Sequence, residues 1–234
     1  MTESAIDPAQ LDEQELFAAR EALIGVARRA FKTGLQTNAG GNLSVRLRSV
    51  AACVIKPSGV GYGEVNHDNL MVCDLNGRTV LGHHKPSKDK DFHCAIYRSR
   101  DDAGAIVHVH SPWATAWGCA GREVPLVTVQ AIEKLGRVPL VPLGPNGGPQ
   151  TAEQIGDAMG PGVRAALLAN HGTVGVAKTA LKALHLCEIL EEVAQTAAFA
   201  ELLSQGAPLA LPGRGGVDPY TGRRAVIDPP STAA

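Results

Sequence analysis

Aromatic residues are scarce in this chain: two Trp, three Tyr and four Phe among 234 residues. A core cannot rest on large rings here, so alanine and glycine must carry much of the close packing. An excess of one charge sign is missing too. Lys and Arg number 22 against 23 Asp and Glu, a formal net charge of −1, with no long block of either sign. Nucleic acids and anionic membranes are held through clustered cations, so neither is expected as the main partner. No stretch approaches the ~18 apolar residues a membrane-spanning helix needs. The opening "MTESAIDPAQLDEQEL" is acidic and polar, without a cationic start or an apolar segment, so a secretory leader is not expected. CxxC spacing is absent as well. Cys53, Cys73, Cys94, Cys119 and Cys187 are dispersed in apolar surroundings. They read as buried thiols of a reducing compartment, which places the chain in the cytoplasm.

What is present supports one sizeable α/β domain. Hydrophobic residues make up 44% of the chain, enough for a real core. Apolar positions at Leu16, Ala19, Leu23, Val26, Ala27 and Ala30 predict a helix over 11–34, with Gly34 as its C-terminal stop. "TNAGGNLSVRL" and "ACVIKPSGVGYGEV" read as glycine- and proline-interrupted strands. "NLMVCDLNGRTVLG" reads as two strands joined through Asn76-Gly77. A helix capped by Ser87 follows, then the strand "AGAIVHVHS", a helical "WATAWGCAG", and the strand–turn–strand "RAALLANHGTVGVA". The longest helix is expected over about 178–204, ahead of a tail rich in Pro and Gly. This order predicts a single-domain, three-layer α/β sandwich with a mainly antiparallel central sheet over 15–205. Residues 1–14 form an N-terminal extension and 206–234 a C-terminal tail.

The chemistry concentrates in histidines. Side chains two apart on a strand face the same way, so His108 and His110 can share one ion. An HxH pair alone is more often an ordinary strand face. His171, where an apolar strand breaks into Asn-His-Gly, adds a third imidazole aimed from a sheet end. Three neutral imidazoles with open positions are the donor set of catalytic zinc. His67, His83 and His84 read as solvated loop residues, and His185 as structural. His93 reads as structural too, with a supporting contact to Asp89, four residues earlier, as its alternative. Asp89 reads equally as a carboxylate favoured by a helix start or as a general acid/base or metal ligand. Three short turns, Gly40-Gly41-Asn42, Pro57-Ser58-Gly59 and Pro86-Ser87-Lys88, would form a phosphate cradle if they converged, with Lys88 as its cation.

The motifs "GGNLSVR", "KPSGVGYGEV", "KPSKDKDFHCAIYRSR", "AIVHVHSPWATA", "LLANHGTVG" and "LCEILEEVAQTA" occur in the order found in the class II aldolase/adducin-head family. The chain resembles that family over about residues 15–205. The resemblance implies that His108, His110 and His171 are metal ligands, for zinc in most members and manganese or cobalt in some. It implies a Lewis-acid role for the metal towards an enediolate, and a phosphate held by Asn42, Ser58, Gly59 and Ser87. Asp89 then stands where the aldolases carry a catalytic glutamate, and Tyr220 is the candidate for a C-terminal tyrosine that reaches the site. A homotetramer with active sites between subunits is implied as well.

Departures from the aldolase pattern bear on the reaction. Ser87-Lys88-Asp89 replaces the Ser-Ser-Glu of fuculose-phosphate-type aldolases, exchanging a neutral donor for a flexible cation and shortening the carboxylate arm. Pro-Ser-Lys before a carboxylate is similar to decarboxylases of 3-oxo-tetronate phosphates. A sugar-phosphate 4-epimerase would need a further acid near "VQAIEKLG", where Ile132 stands and Glu133 is one position away. The expected function is therefore metal-dependent carbon–carbon cleavage of a small phosphorylated hydroxy-ketone. Decarboxylation is the alternative, with epimerisation and a non-catalytic adducin-like module behind it.

Overall fold

The computed structural model describes residues 6–142 and 149–205, together with 209 and 211. Tyr220 lies outside the described residues. Helix α1 (Glu13–Lys32) is capped by Asp12, whose carboxylate accepts the Glu15 N–H. It stops at Gly34, which takes the left-handed conformation (φ 77°) that a residue with a Cβ adopts only under strain. Strands β1 (Asn42–Arg46), β2 (Ala52–Ile55), β3 (Met71–Asp74) and β4 (Thr79–Leu81) come next. Then follow α2 (Lys90–Ser99), β5 (Ala105–Val109), α3 (Pro112–Cys119), α4 (Val129–Leu135), β6 (Leu140–Val141) and α5 (Pro149–Ala158). Strands β7 (Ala165–Leu168) and β8 (Gly172–Ala177) precede the long α6 (Ala180–Ser204).

The strands form one sheet in the order β4-β3-β2-β1-β5-β8-β7-β6. Only the β6–β7 pair is parallel. The period-two alternation of strands sorts side chains into two cores. Leu43, Val54, Val72, Val107 and Val109 face α1 and α6, meeting Leu23, Ala27, Ala183 and Leu184. Cys53, Ile55, Met71 and Ile106 face the other way, meeting Phe92, Ile96 and Tyr97 of α2, Ile155 of α5 and Met159 just after it. Helices α3 and α4 pack with the middle of α6 through Trp117, Ala131, Leu135, Leu190 and Ala194. The three-layer, mainly antiparallel sandwich read from the sequence is the observed one.

Several local expectations need correction. Helix α2 begins at Lys90, not beside Ser87: Asp89 occupies the N-cap position (φ −87°, ψ 0°) with no side-chain cap bond. The Ser87 hydroxyl instead accepts the Asp89 N–H at 3.2 Å, closing a turn before the helix. Helices α4 and α5 and the two-residue β6 were not anticipated, because Pro and Gly flank them and their apolar stripes are short. Cys119 is exposed, while the other four cysteines are buried as expected. His67 is not simply solvated: it lies 2.5 Å from Glu21 and stacks on Phe17. Among the described residues, no helix is long and apolar enough to cross a membrane.

Small residues do the packing that aromatics do elsewhere. At Gly175 on β8, helix α6 comes so close that a Cβ would sit 2.4 Å from the Ala183 carbonyl oxygen and 2.9 Å from Cys187 Sγ. Backbone oxygen cannot give way there without moving the helix. Gly175→Ala is therefore expected to destabilise the protein by about 1–3 kcal/mol, as overpacking does. Urea denaturation of both proteins measures this as a lower midpoint at unchanged slope.

Candidate metal centre

The alternation that sorts the cores also builds the site. His108 shares the face of Ile106, turned towards α2, and His110 follows two residues later. In the sheet register His108 pairs with Asn42 of β1 on one side and Val174 of β8 on the other. His171 arrives from the turn before β8, where Asn170 takes a left-handed conformation (φ 56°) and the His171 N–H bonds to the Leu168 carbonyl. Gly172 makes room for the rings: a Cβ there would lie 3.2 Å from His108 Cε1 and 3.0 Å from His110 Cδ2. Such a Cβ would come nearer still to the Val109 carbonyl oxygen, so backbone and two imidazoles together fill the space beside Gly172.

One ligand nitrogen from each of His108, His110 and His171 falls within 4.8 Å of the others. Ring centroids are 4.7–4.9 Å apart. His108 Nδ1 donates to the Thr173 carbonyl at 2.9 Å, which leaves the Nε2 lone pair facing the cluster. His110 Nε2 lies 3.1 Å from it. Two nitrogens bonded to one zinc at about 2.0–2.1 Å stand ~3.3 Å apart in a tetrahedral site, so the spacing fits a shared divalent ion. Burial holds His108 well below its ordinary pKa, with the neighbouring His171 and His110 adding to the effect. Burial and His171 lower His110 as well. Neutral imidazoles are the form that binds metal, so the fit extends from geometry to charge.

Residues not singled out in the sequence hold this arrangement. Gln36 Oε1 accepts the His110 backbone N–H at 2.7 Å, and its amide donates to Asn38 Oδ1. The Tyr62 hydroxyl shares its proton between the carbonyls of Asn42 and His108, 2.9 and 2.8 Å away, tying β1 to β5. Glu191 of α6 accepts the N–H groups of Trp113 and Ala114, capping α3 immediately after His110. Lys56 is buried, and its Nζ donates to the Pro57 and Val60 carbonyls at 3.1 and 2.5 Å. Burial pushes its ammonium down to about 8, against the opposing pull of Asp89 and Glu64. Polar side chains of these types occur in most loops, and only their convergence marks them.

Asp89 Oδ2 lies 3.9 Å from His108 Nε2 and accepts a 2.7 Å hydrogen bond from Asn42 Nδ2. The other end of the Asn42 amide meets His93 Nε2 at 2.5 Å. Both polar ends of Asn42 are thus engaged within the protein. His93 does support Asp89, but through Asn42. The turns holding Ser58 and Ser87 are brought together: Pro57 and Pro86 form an isolated β-bridge, and the Ser58 N–H donates to the Lys85 carbonyl. Gly59 is left-handed (φ 77°), Ser87 is buried and Lys88 is exposed. A cavity of about 940 Å³ opens elsewhere, at the opposite end of β5 and β8 beside Arg100, Lys178 and Lys182, and shares no residue with the histidine cluster.

Residues 21–198 match the model of the "Class II Aldolase and Adducin N-terminal domain". The chain belongs to that family. It is 33% identical to a 5-deoxy-D-ribulose 1-phosphate aldolase of Bacillus thuringiensis serovar kurstaki, over 82% of this chain and 89% of the relative. It is also 33% identical to a 3-oxo-tetronate 4-phosphate decarboxylase of Haemophilus influenzae, over 76% and 86%. An L-fuculose 1-phosphate aldolase structure superposes with a TM-score of 0.77 at 31% identity, covering 87% of this chain and 92% of that one.

Burial makes the fold acid-sensitive through His93, whose ring is fully buried and held neutral down to about 3 against an ordinary 6.5. Its folded value is depressed, so its contribution is complete above pH 6.5 and is lost as pH falls from 6.5 towards 3. The loss from this group is on the order of 5 kcal/mol over that window. Unfolding free energies from urea titrations between pH 7 and 4 should fall steeply in the wild type. In His93→Gln, which cannot take up that proton, they should fall less steeply.

Proposed function

We propose that this protein is a metal-dependent carbon–carbon lyase that cleaves a small phosphorylated hydroxy-ketone by retro-aldol chemistry. The observation that carries the reading is the convergence of three metal-ready imidazoles with one carboxylate, Asp89, at the head of α2. A divalent ion held by His108, His110 and His171, zinc in our reading with manganese or cobalt as substitutes, would supply Lewis-acid stabilisation of oxyanion charge when bound. The protein's own part is proton handling and orientation. Asp89 Oδ2 is anchored by Asn42, whereas Oδ1 has no protein partner among the described residues. That oxygen is the one placed to give a proton to the carbon on which the broken bond leaves its electrons, while a base takes the proton of the hydroxyl on the carbon that departs as aldehyde. The Ser58 hydroxyl and the Gly59 N–H, also without protein partners among the described residues, are assigned to the substrate phosphate together with Ser87 and Lys88. Asn42 gives one of its two Nδ2 hydrogens to Asp89, and the second is assigned to the phosphate.

Decarboxylation of a 3-oxo acid phosphate is the second reading, favoured by the exposed Lys88 between Ser87 and Asp89 and by the decarboxylase among the relatives. Both reactions pass through an enediolate and differ in whether an aldehyde or carbon dioxide leaves. Epimerisation is not favoured: the Glu133 carbonyl binds Arg164, ahead of β7 and at the end of the sheet away from the histidines. An interaction module without chemistry would have no use for an intact triad. We further place the protein in the cytoplasm as a homotetramer, with Tyr220 reaching the site. Exposed Phe199, Leu202 and Leu203 on α6, with Trp113 against Phe199, support association of copies.

The test is to incubate metal-loaded protein with a panel of ketose phosphates and 3-oxo acids, following aldehyde and carbon dioxide separately. Aldehyde release from a ketose phosphate is expected; carbon dioxide without aldehyde would shift the assignment to the decarboxylase. Asp89→Asn is expected to keep its metal and lose about 10²–10⁴-fold in kcat. Full activity in that variant would remove Asp89 from the mechanism.

A further inference from the structure

Between β1 and α2 a line of polar side chains runs from buried Tyr97 to Asp89, and three of its members, Tyr97, Ser44 and His93, take no part in the proposed chemistry. Tyr97 OH lies 2.7 Å from Ser44 Oγ, which lies 2.7 Å from His93 Nδ1. His93 Nε2 meets Asn42 Oδ1, and Asn42 Nδ2 reaches Asp89 Oδ2 at 2.7 Å. Tyr97, Ser44 and His93 are fully buried and Asn42 nearly so. Two periodicities align the line: Asn42 and Ser44 are two apart on one strand face, and Asp89, His93 and Tyr97 recur every four residues along α2. Polar groups in a core cost stability unless every one is paired, so apolar side chains would serve the fold at least as well.

The hydrogens along the line can be assigned. A carboxylate only accepts, so Asn42 presents its NH₂ to Asp89 and its oxygen to His93. That oxygen needs a donor, which puts the single proton of the neutral His93 ring on Nε2. Nδ1 must then accept from the Ser44 hydroxyl, whose oxygen accepts from Tyr97 O–H. Every donor points towards Asp89. The reversed line would leave Tyr97 O–H without an acceptor among the described residues, so the direction is set by the buried end.

We propose that Tyr97, Ser44 and His93 are positioning residues which, through Asn42, fix Asp89 Oδ2 and so aim Oδ1 at the substrate. This rests on the reading of Asp89 as the acid–base group. The need for such an anchor follows from the site. Asp89 precedes the first helical residue, its side chain is 32% exposed, and no cap bond restrains it. Without the line its carboxylate is free to turn, and a displacement of about 1 Å at a reacting group costs on the order of 10²-fold in rate.

Ser44→Ala and Tyr97→Phe each delete one hydroxyl at a site closed to solvent. Each is expected to lower kcat about 10- to 100-fold, with KM and metal stoichiometry within about twofold of wild type. His93→Gln, which keeps an N–H for Asn42, should retain more kcat than His93→Leu. Nitrogen-15 NMR of the wild-type imidazoles should show His93 protonated at Nε2. Full kcat in both hydroxyl deletions would overturn the proposal, as would a His93 proton on Nδ1. If the wild type turns over nothing in the substrate panel, the lyase reading fails, and the His93 tautomer still decides whether the line runs towards Asp89.

Discussion

The register of β5 between β1 and β8 is the constraint on which the site depends. Antiparallel pairing sets His108 opposite Asn42 and Val174, and alternation turns it, with His110, towards α2. A slip of one residue would bury Val107 and Val109 beneath α2 and send both histidines into the apolar layer under α1 and α6. The apolar alternation that fixes the sandwich therefore also fixes which face carries the chemistry. Tyr62 reinforces the pairing from outside the sheet, bonding the carbonyls of the two residues that matter most, Asn42 and His108.

Polarity at the centre is graded rather than isolated. His108 is fixed by a backbone carbonyl, His110 by Gln36, the start of α3 by Glu191, and Asp89 by Asn42. His108 and Asp89 are thus held through their side chains, and His110 through its backbone, by groups that are themselves packed. This arrangement keeps functional atoms in place without making them part of the apolar core. The scarcity of aromatics fits the same plan. Close helix–sheet contacts at Gly175 and the ring-to-backbone contact at Gly172 need small residues, and larger ones would spread the layers that aim the histidines.

Much of this was legible in the sequence where a feature obeys one local rule. The His-x-His spacing on an apolar strand, the Asn-His-Gly break and the helical stripe of α1 each follow from a single periodicity. The Asp89–His93 relation was also visible as an i, i+4 pair. Features made by convergence were not legible. Nothing local marks Gln36, Tyr62, Lys56 or Glu191, because each gains its role from a partner distant in the chain. Asn42 was read as a phosphate donor from its turn, and only the structure shows its amide shared between His93 and Asp89. Helices α4 and α5 escaped because they are short and set among Pro and Gly, where turn signals outweigh their apolar spacing.

The most direct test of the account is metal analysis combined with X-ray absorption on the purified, metal-loaded protein. One divalent ion per chain is expected, with three imidazole nitrogens at about 2.0–2.1 Å if that ion is zinc, and loss of the ion in His108→Ala or His171→Ala. A chain that takes up no stoichiometric ion, or keeps its ion after either substitution, would contradict the claim that these three histidines form the functional centre.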